Sequence, residues 1–210
     1  MLEAHDIEIA RGNRRLFSSL SFALTPGTLL LVTGSNGSGK TSLLRTLCGL
    51  LSSTTGEIRW QGENIRSLRE EYWKHLVYIG HANALKDELT ASENLGALCA
   101  LSGTEPRAEQ RRLALAHFGL ADREHVPVKV LSQGQRRRTA LARLALSAMQ
   151  PLWVLDEPFA ALDNVAQQQA QDIIARHLTG GGMVVMTTHQ DVQIAAGSTA
   201  ELNLDQSAVR

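Results

Sequence analysis

Only 2 cysteines occur in the 210-residue chain, Cys48 and Cys99, far apart and without the close pairing a metal site needs. That scarcity excludes a disulfide-stapled scaffold and a thiolate cluster, and it fits a reducing compartment in which each is a buried thiol. Net charge is missing too. The 21 Lys and Arg balance 21 Asp and Glu, so no global field draws nucleic acid and none is expected as a partner, although a local basic patch is compatible with a zero balance. The most apolar stretch, Leu29-Leu30-Leu31-Val32, falls far short of the roughly 20 residues needed to cross a bilayer. The chain is therefore not expected to form a membrane channel. Its N-terminus, MLEAHDIEIARGNRRLF, lacks a basic segment followed by an apolar one, so no secretory signal is read and the chain is expected in the cytoplasm. Internal repeats, low-complexity tracts and long heptad runs are absent as well.

What is present is 43% hydrophobic and 20% charged, enough for one domain spanning 1–210 with a sizeable core. Residues 2–10 and 20–24 read as strands, the second ending at the Pro26-Gly27 turn. Residues 29–33 form an apolar run without a polar face, as expected of a strand buried on both sides of a mostly parallel sheet. A helix is predicted over 40–51, with Leu43, Leu44, Leu47 and Leu51 on one stripe, followed by strands over 56–62 and 76–79. From about 89 to 149 there is no convincing strand, and this stretch is read as a helical subdomain set into an α/β core of about 1–88 and 150–205. Thr90-Ala91-Ser92-Glu93 has capping-box spacing and opens one helix. Thr104-Glu105-Pro106 opens a second reaching about Gly119, and Ser132-Gln133-Gly134-Gln135 opens a third ending near Met149. A strand over 152–155, a helix over 164–178, a strand over 183–187 and a short helix after Gln190 restore the alternation of a doubly wound sheet.

Gly34-Ser35-Asn36-Gly37-Ser38-Gly39-Lys40-Thr41 fits the phosphate-loop pattern and lies where its chemistry requires, between a buried strand and a helix. Its glycines let successive N–H groups turn toward phosphate oxygens, and the helix start adds a positive dipole end. Lys40 is placed to reach the β- and γ-phosphates, and the Thr41 hydroxyl to bind Mg²⁺. Leu152-Trp153-Val154-Leu155-Asp156-Glu157 is a second apolar strand that ends in adjacent carboxylates, at the sheet edge where open α/β folds bind ligands. Asp156 can hold Mg²⁺, and Glu157 can orient or deprotonate an attacking water. Ser132-Gln133-Gly134-Gln135, followed by Arg136-Arg137-Arg138, offers a second anion-binding helix start, although an arginine run taken alone is usually a solvated face.

Together these motifs resemble the nucleotide-binding subunits of ATP-binding-cassette transporters, over residues 2–189. The resemblance implies a P-loop NTPase fold of class α/β: a doubly wound, mostly parallel sheet with an antiparallel β subdomain and an inserted helical subdomain. It implies an ATPase with Mg²⁺ as cofactor. Its ATP would bind 34–42, with Ser42 joining the loop residues already named. Ser132, Gln133, Gly134 and Gln135 would be the signature loop contacting the ATP of a second copy in a head-to-tail dimer. Asp163, in Ala161-Leu162-Asp163, would couple the two sites, and His189 would contact the γ-phosphate; taken alone, His189 reads as an ordinary strand-end histidine.

Two positions depart from the family pattern. His81 stands where a glutamine usually links Mg²⁺ to the membrane partner, and a neutral imidazole can accept a hydrogen bond from metal-bound water. Arg11 stands where an aromatic often stacks on adenine; a guanidinium plane can stack too, and a solvated turn accounts for it equally well.

The short length, Ile79-Gly80-His81, Trp153-Val154-Leu155-Asp156-Glu157-Pro158-Phe159 and Thr187-Thr188-His189-Gln190 resemble more narrowly the ATP-binding subunits of bacterial cytochrome c maturation systems. This implies an integral membrane permease subunit as partner, with other maturation membrane proteins, and a peripheral place on the cytoplasmic face of the inner membrane. The role implied is haem export or release of a haem-loaded chaperone. No C-x-x-C-H or paired soft ligands suggest that this chain binds haem itself. A coupling subunit for another export permease is the alternative. A mechanical ATPase acting on nucleic acid is more distant, because it needs a long coiled coil that is missing here.

Overall fold

The computed structural model describes residues 1–12, 14–188 and 192–206. β1 (Leu2–Arg11) and β2 (Arg14–Leu24) pair as a hairpin, β3 (Thr28–Thr33) follows, and α1 (Lys40–Leu47) begins after the glycine-rich loop. β4 (Thr55–Trp60), β5 (Glu63–Asn64), the one-turn helices α2 (Ile65–Leu68) and α3 (Glu70–Trp73), and β6 (Leu76–Ile79) come next. α4 (Ala91–Ala100), α5 (Ala108–His117) and α6 (Gln133–Ala142) lead to β7 (Leu152–Asp156), then α7 (Asn164–Thr179), β8 (Met183–Thr187) and β9 (Ser198–Asn203).

Two sheets result. β2-β1-β4-β5 is antiparallel, and β6-β7-β8-β3-β9 is parallel throughout. Side chains alternate between the faces of a strand, so each central strand of the parallel sheet feeds two cores. Leu152 and Val154 face α1 and the antiparallel sheet, packing with Leu43, Leu44 and Leu47. Trp153 and Leu155 face the other way, onto residues of α4, α5, α6 and α7 such as Leu95, Leu115, Leu141 and Ile174. Every residue of β7 and β8 is buried, which is why these segments read as unbroken apolar runs.

Several boundaries differ from expectation. α1 stops at Leu47, and Gly49, at φ +71°, turns the chain away before Leu51. The second inserted helix begins at Ala108; Arg107 is its extended cap residue, and its N–H donates to Gln110 Oε1 at 2.8 Å. The third passes into a 3₁₀ turn at Arg143–Leu146, short of Met149. Between β6 and β7 the described residues carry no strand, only an isolated bridge between Thr90 and Pro127. The start of the helix expected after Gln190 lies outside the described residues, and 192–197 contain no helix. β9 was not expected: its first four residues are exposed on a sheet edge, with little apolar pattern to mark a strand.

Candidate functional site

The loop between β3 and α1 is shaped by its glycines. Gly39 caps α1 at φ +107°, and a Cβ there would lie 3.0 Å from Phe17 Cε1, so both backbone and space call for glycine. No side chain caps α1 and no acidic residue sits in its first turn, leaving its leading N–H groups for an outside anion. Ser38 Oγ is buried without a hydrogen-bond partner among the described residues, a polar atom awaiting an acceptor or donor from a ligand. Lys40, 8% exposed, donates from Nζ to Gly34 O at 2.7 Å and Ser35 O at 3.2 Å. Ser35, Asn36 and Gly37 form the exposed crest of the loop, and the Ser42 carbonyl accepts from Thr46 Oγ1 at 2.9 Å.

The end of β7 meets the start of α1. Thr41 Oγ1 donates to Asp156 Oδ2 at 2.8 Å, and Thr187 Oγ1 donates to Asp156 Oδ1 at 2.8 Å. Asp156 is thus a buried carboxylate held by two hydroxyls at the mouth of the loop. The next residue, Glu157, has φ +48°, a conformation costly for a residue with a side chain. Its backbone is fixed from both ends, because its N–H donates to Thr187 Oγ1 at 2.8 Å and its carbonyl accepts from Arg137 at 2.7 Å.

Ser132 opens α6 with a capping box: its Oγ accepts from Gln135 N–H at 3.2 Å, and its N–H donates to Gln135 Oε1 at 2.9 Å. Gln133 begins the helix proper. A Cβ on Gly134 would come within 3.1 Å of Ala161 O, so the small residue lets α6 approach the loop that leads to Asp163. Asp163 caps α7, accepting from Ala166 N–H at 2.9 Å, and pairs with Arg138. Burial lowers the pKa of the Arg137 guanidinium, and the neighbouring Asp156 and Glu157 charges oppose that shift.

The structure thus gathers Lys40, Thr41, Asp156 and Glu157 around one loop. Ser132–Gln135 and Asp163 lie together at the N-termini of α6 and α7. His81 is exposed just beyond β6 and makes no hydrogen bond among the described residues. β1 ends at Arg11, whose side chain lies outside the described residues, as does all of His189. Sequence reasoning missed three contributors. Thr187 and Arg137 are joined to the carboxylate segment, and Asp205 Oδ2 and Oδ1 accept from the Ser35 N–H and Oγ, both at 2.8 Å. The only local hint was the arginine run itself.

A family described as ABC transporter matches residues 17–160. A relative from Nitrosospira multiformis, named cytochrome c biogenesis ATP-binding export protein CcmA, is 52% identical over 203 residues, 97% of this chain and 98% of the relative. One of the same name from Dechloromonas aromatica is 52% identical over 204 residues, covering 97% and 100%. Among solved structures, a dimeric ATP-binding cassette in a post-hydrolysis state, bound to ADP and Pi, superposes with a TM-score of 0.79. It covers 90% of this chain and 88% of its own, and at 21% identity it attests the fold alone.

Proposed function

This chain belongs to the ABC transporter family, and from that premise we propose that its ATP hydrolysis drives a membrane export complex serving cytochrome c biogenesis. The pathway rests on 52% identity across 97% of the chain to a relative of that name. The chemistry rests on the buried Asp156 carboxylate bonded to Thr41 at the start of the phosphate loop.

In this reading the N–H groups at the start of α1 and the Ser38 hydroxyl bind phosphate oxygens, while Lys40 exchanges its loop carbonyls for the β- and γ-phosphates. A hard, all-oxygen pair of hydroxyl and carboxylate suits Mg²⁺, which keeps much of its water and needs few protein ligands. Thr41 and Asp156 would hold it, with His81 accepting from its water, and the bound ion would neutralise charge on the phosphates. Glu157 orients or deprotonates the attacking water. Arg11 stacks on adenine, and His189 contacts the γ-phosphate. A second copy supplies Ser132, Gln133, Gly134 and Gln135 across a head-to-tail dimer, and Asp163 couples the two sites. Residues 89–149 form the helical subdomain, and the segment 81–98, which runs into it, contacts the membrane permease. No described helix is long and apolar enough to cross a membrane. The name of the similar proteins, ATP-binding export protein, supports a peripheral place on the cytoplasmic face of the inner membrane, where hydrolysis moves or releases haem.

The test is a tagged Glu157→Gln chain extracted from native membranes in mild detergent with Mg-ATP. Co-purification of cytochrome c maturation membrane proteins is the expected result. Recovery of an unrelated permease discards the pathway and keeps the ATPase, whereas near-normal turnover by this variant removes Glu157 from its role.

A further inference from the structure

Three arginines follow the signature loop, and their surroundings differ. Arg136 reaches Asp87 at 3.0 Å and Arg138 pairs with Asp163, both near the surface. Arg137 is 4% exposed. Its Nε donates to Pro158 O at 3.1 Å, Nη1 to Gly80 O at 2.9 Å and Asn83 Oδ1 at 3.1 Å, and Nη2 to Asp156 O at 2.9 Å and Glu157 O at 2.7 Å. A guanidinium has five N–H donors, so its capacity is filled by two chain segments.

A buried cation bonded to neutral acceptors is a costly way to hold helices together, because apolar packing of similar volume does so without the desolvation penalty. What the cation achieves here is placement. Three of its acceptors are the successive carbonyls of 156–158, the segment in which Glu157 is held at φ +48°. The other two belong to the loop after β6, on either side of exposed His81.

We propose that Arg137 is a positioning residue for hydrolysis: it holds the backbone that aims Glu157, and it makes that aim depend on where the loop containing Gly80 and Asn83 sits. The inference rests on the reading of Glu157 as the group that activates water. A partner pressing on the loop around His81 would shift two acceptors of the same guanidinium that holds the carbonyl of Glu157. Hydrolysis would then answer to that loop through one side chain.

Arg137→Lys keeps the charge but has three donors for five acceptors. Steady-state hydrolysis, binding of a fluorescent ATP analogue and melting temperature are measured on the full chain, with Arg137→Lys placed in both the parent and the Glu157→Gln background. The expected result is at least a tenfold fall in kcat, nucleotide affinity within twofold of the parent, and no further loss in the Glu157→Gln background. A kcat within twofold of the parent overturns the proposal. So does an equal loss in both backgrounds, which marks a structural role independent of Glu157. If Glu157→Gln alone turns over normally, the assignment of Glu157 fails first and takes this inference with it, a pattern distinct from the other two. Should Arg137→Lys not fold, Asn83→Ala decides, since it removes one acceptor and leaves the cation its carbonyls. A two- to fivefold fall in kcat at unchanged affinity supports the link, and an unchanged kcat overturns it.

Discussion

The Lys40 ammonium is held by two carbonyls of its own loop, Gly34 O and Ser35 O, which fixes a positive charge beside the uncapped start of α1. Charge placed in advance where negative charge develops is the strongest lever such a site has. Replacing Lys40 with Ala is expected to lower ATP turnover by about 10²–10³-fold, read in a phosphate-release assay. Lys40, Thr41, Asp156 and Glu157 were legible because their meaning is carried by neighbours within a few positions. Thr187 and Arg137 were not. Thr187 acts on Asp156 from 31 residues away and Arg137 from 19, and no local spacing announces a bond made by folding.

At the scale of elements, caps decided what could be read in advance. Thr90 Oγ1 accepts from Glu93 N–H at 3.2 Å while Glu93 Oε2 accepts from Thr90 N–H at 2.8 Å, so α4 begins where the spacing predicts. Thr90→Ala is expected to cost about 1 kcal/mol, seen as a lower urea midpoint with an unchanged slope. α5 lacks such a signal at Thr104-Glu105-Pro106, and its start slipped to Ala108. β9 escaped notice for a different reason. Among the described residues it pairs only with β3, its first four residues are exposed, and it owes its existence to an edge that the parallel sheet leaves open.

Across the whole molecule, the parallel sheet separates two cores, and the helical side carries a titratable weak point. The His177 ring lies flat on Trp153, with centroids 3.7 Å apart, and burial pushes its pKa down to about 4. The unfolded imidazole, near 6.5, takes up a proton first, so the neutral stack is fully stabilising above about pH 6.5 and weakens as pH falls toward 4. Unfolding free energies from urea titrations at pH 7 and pH 5 should differ by about 1 kcal/mol more in the parent than in His177→Phe, after discounting for partial exposure. Burial on both faces of the parallel strands could be read from their unbroken apolar runs, but the stack and the order of the strands could not, because both depend on which element lies beside which. That strand order also bears on biosynthesis. β3 is flanked by β8 and β9, and Asp205 braces Ser35, so the neighbours that steady the phosphate loop within the sheet all follow it in the chain, beyond α7. A ribosome delivers the loop well before these supports, and a nascent chain can gain a firm grip on nucleotide only once β8, β9 and Asp205 have also emerged.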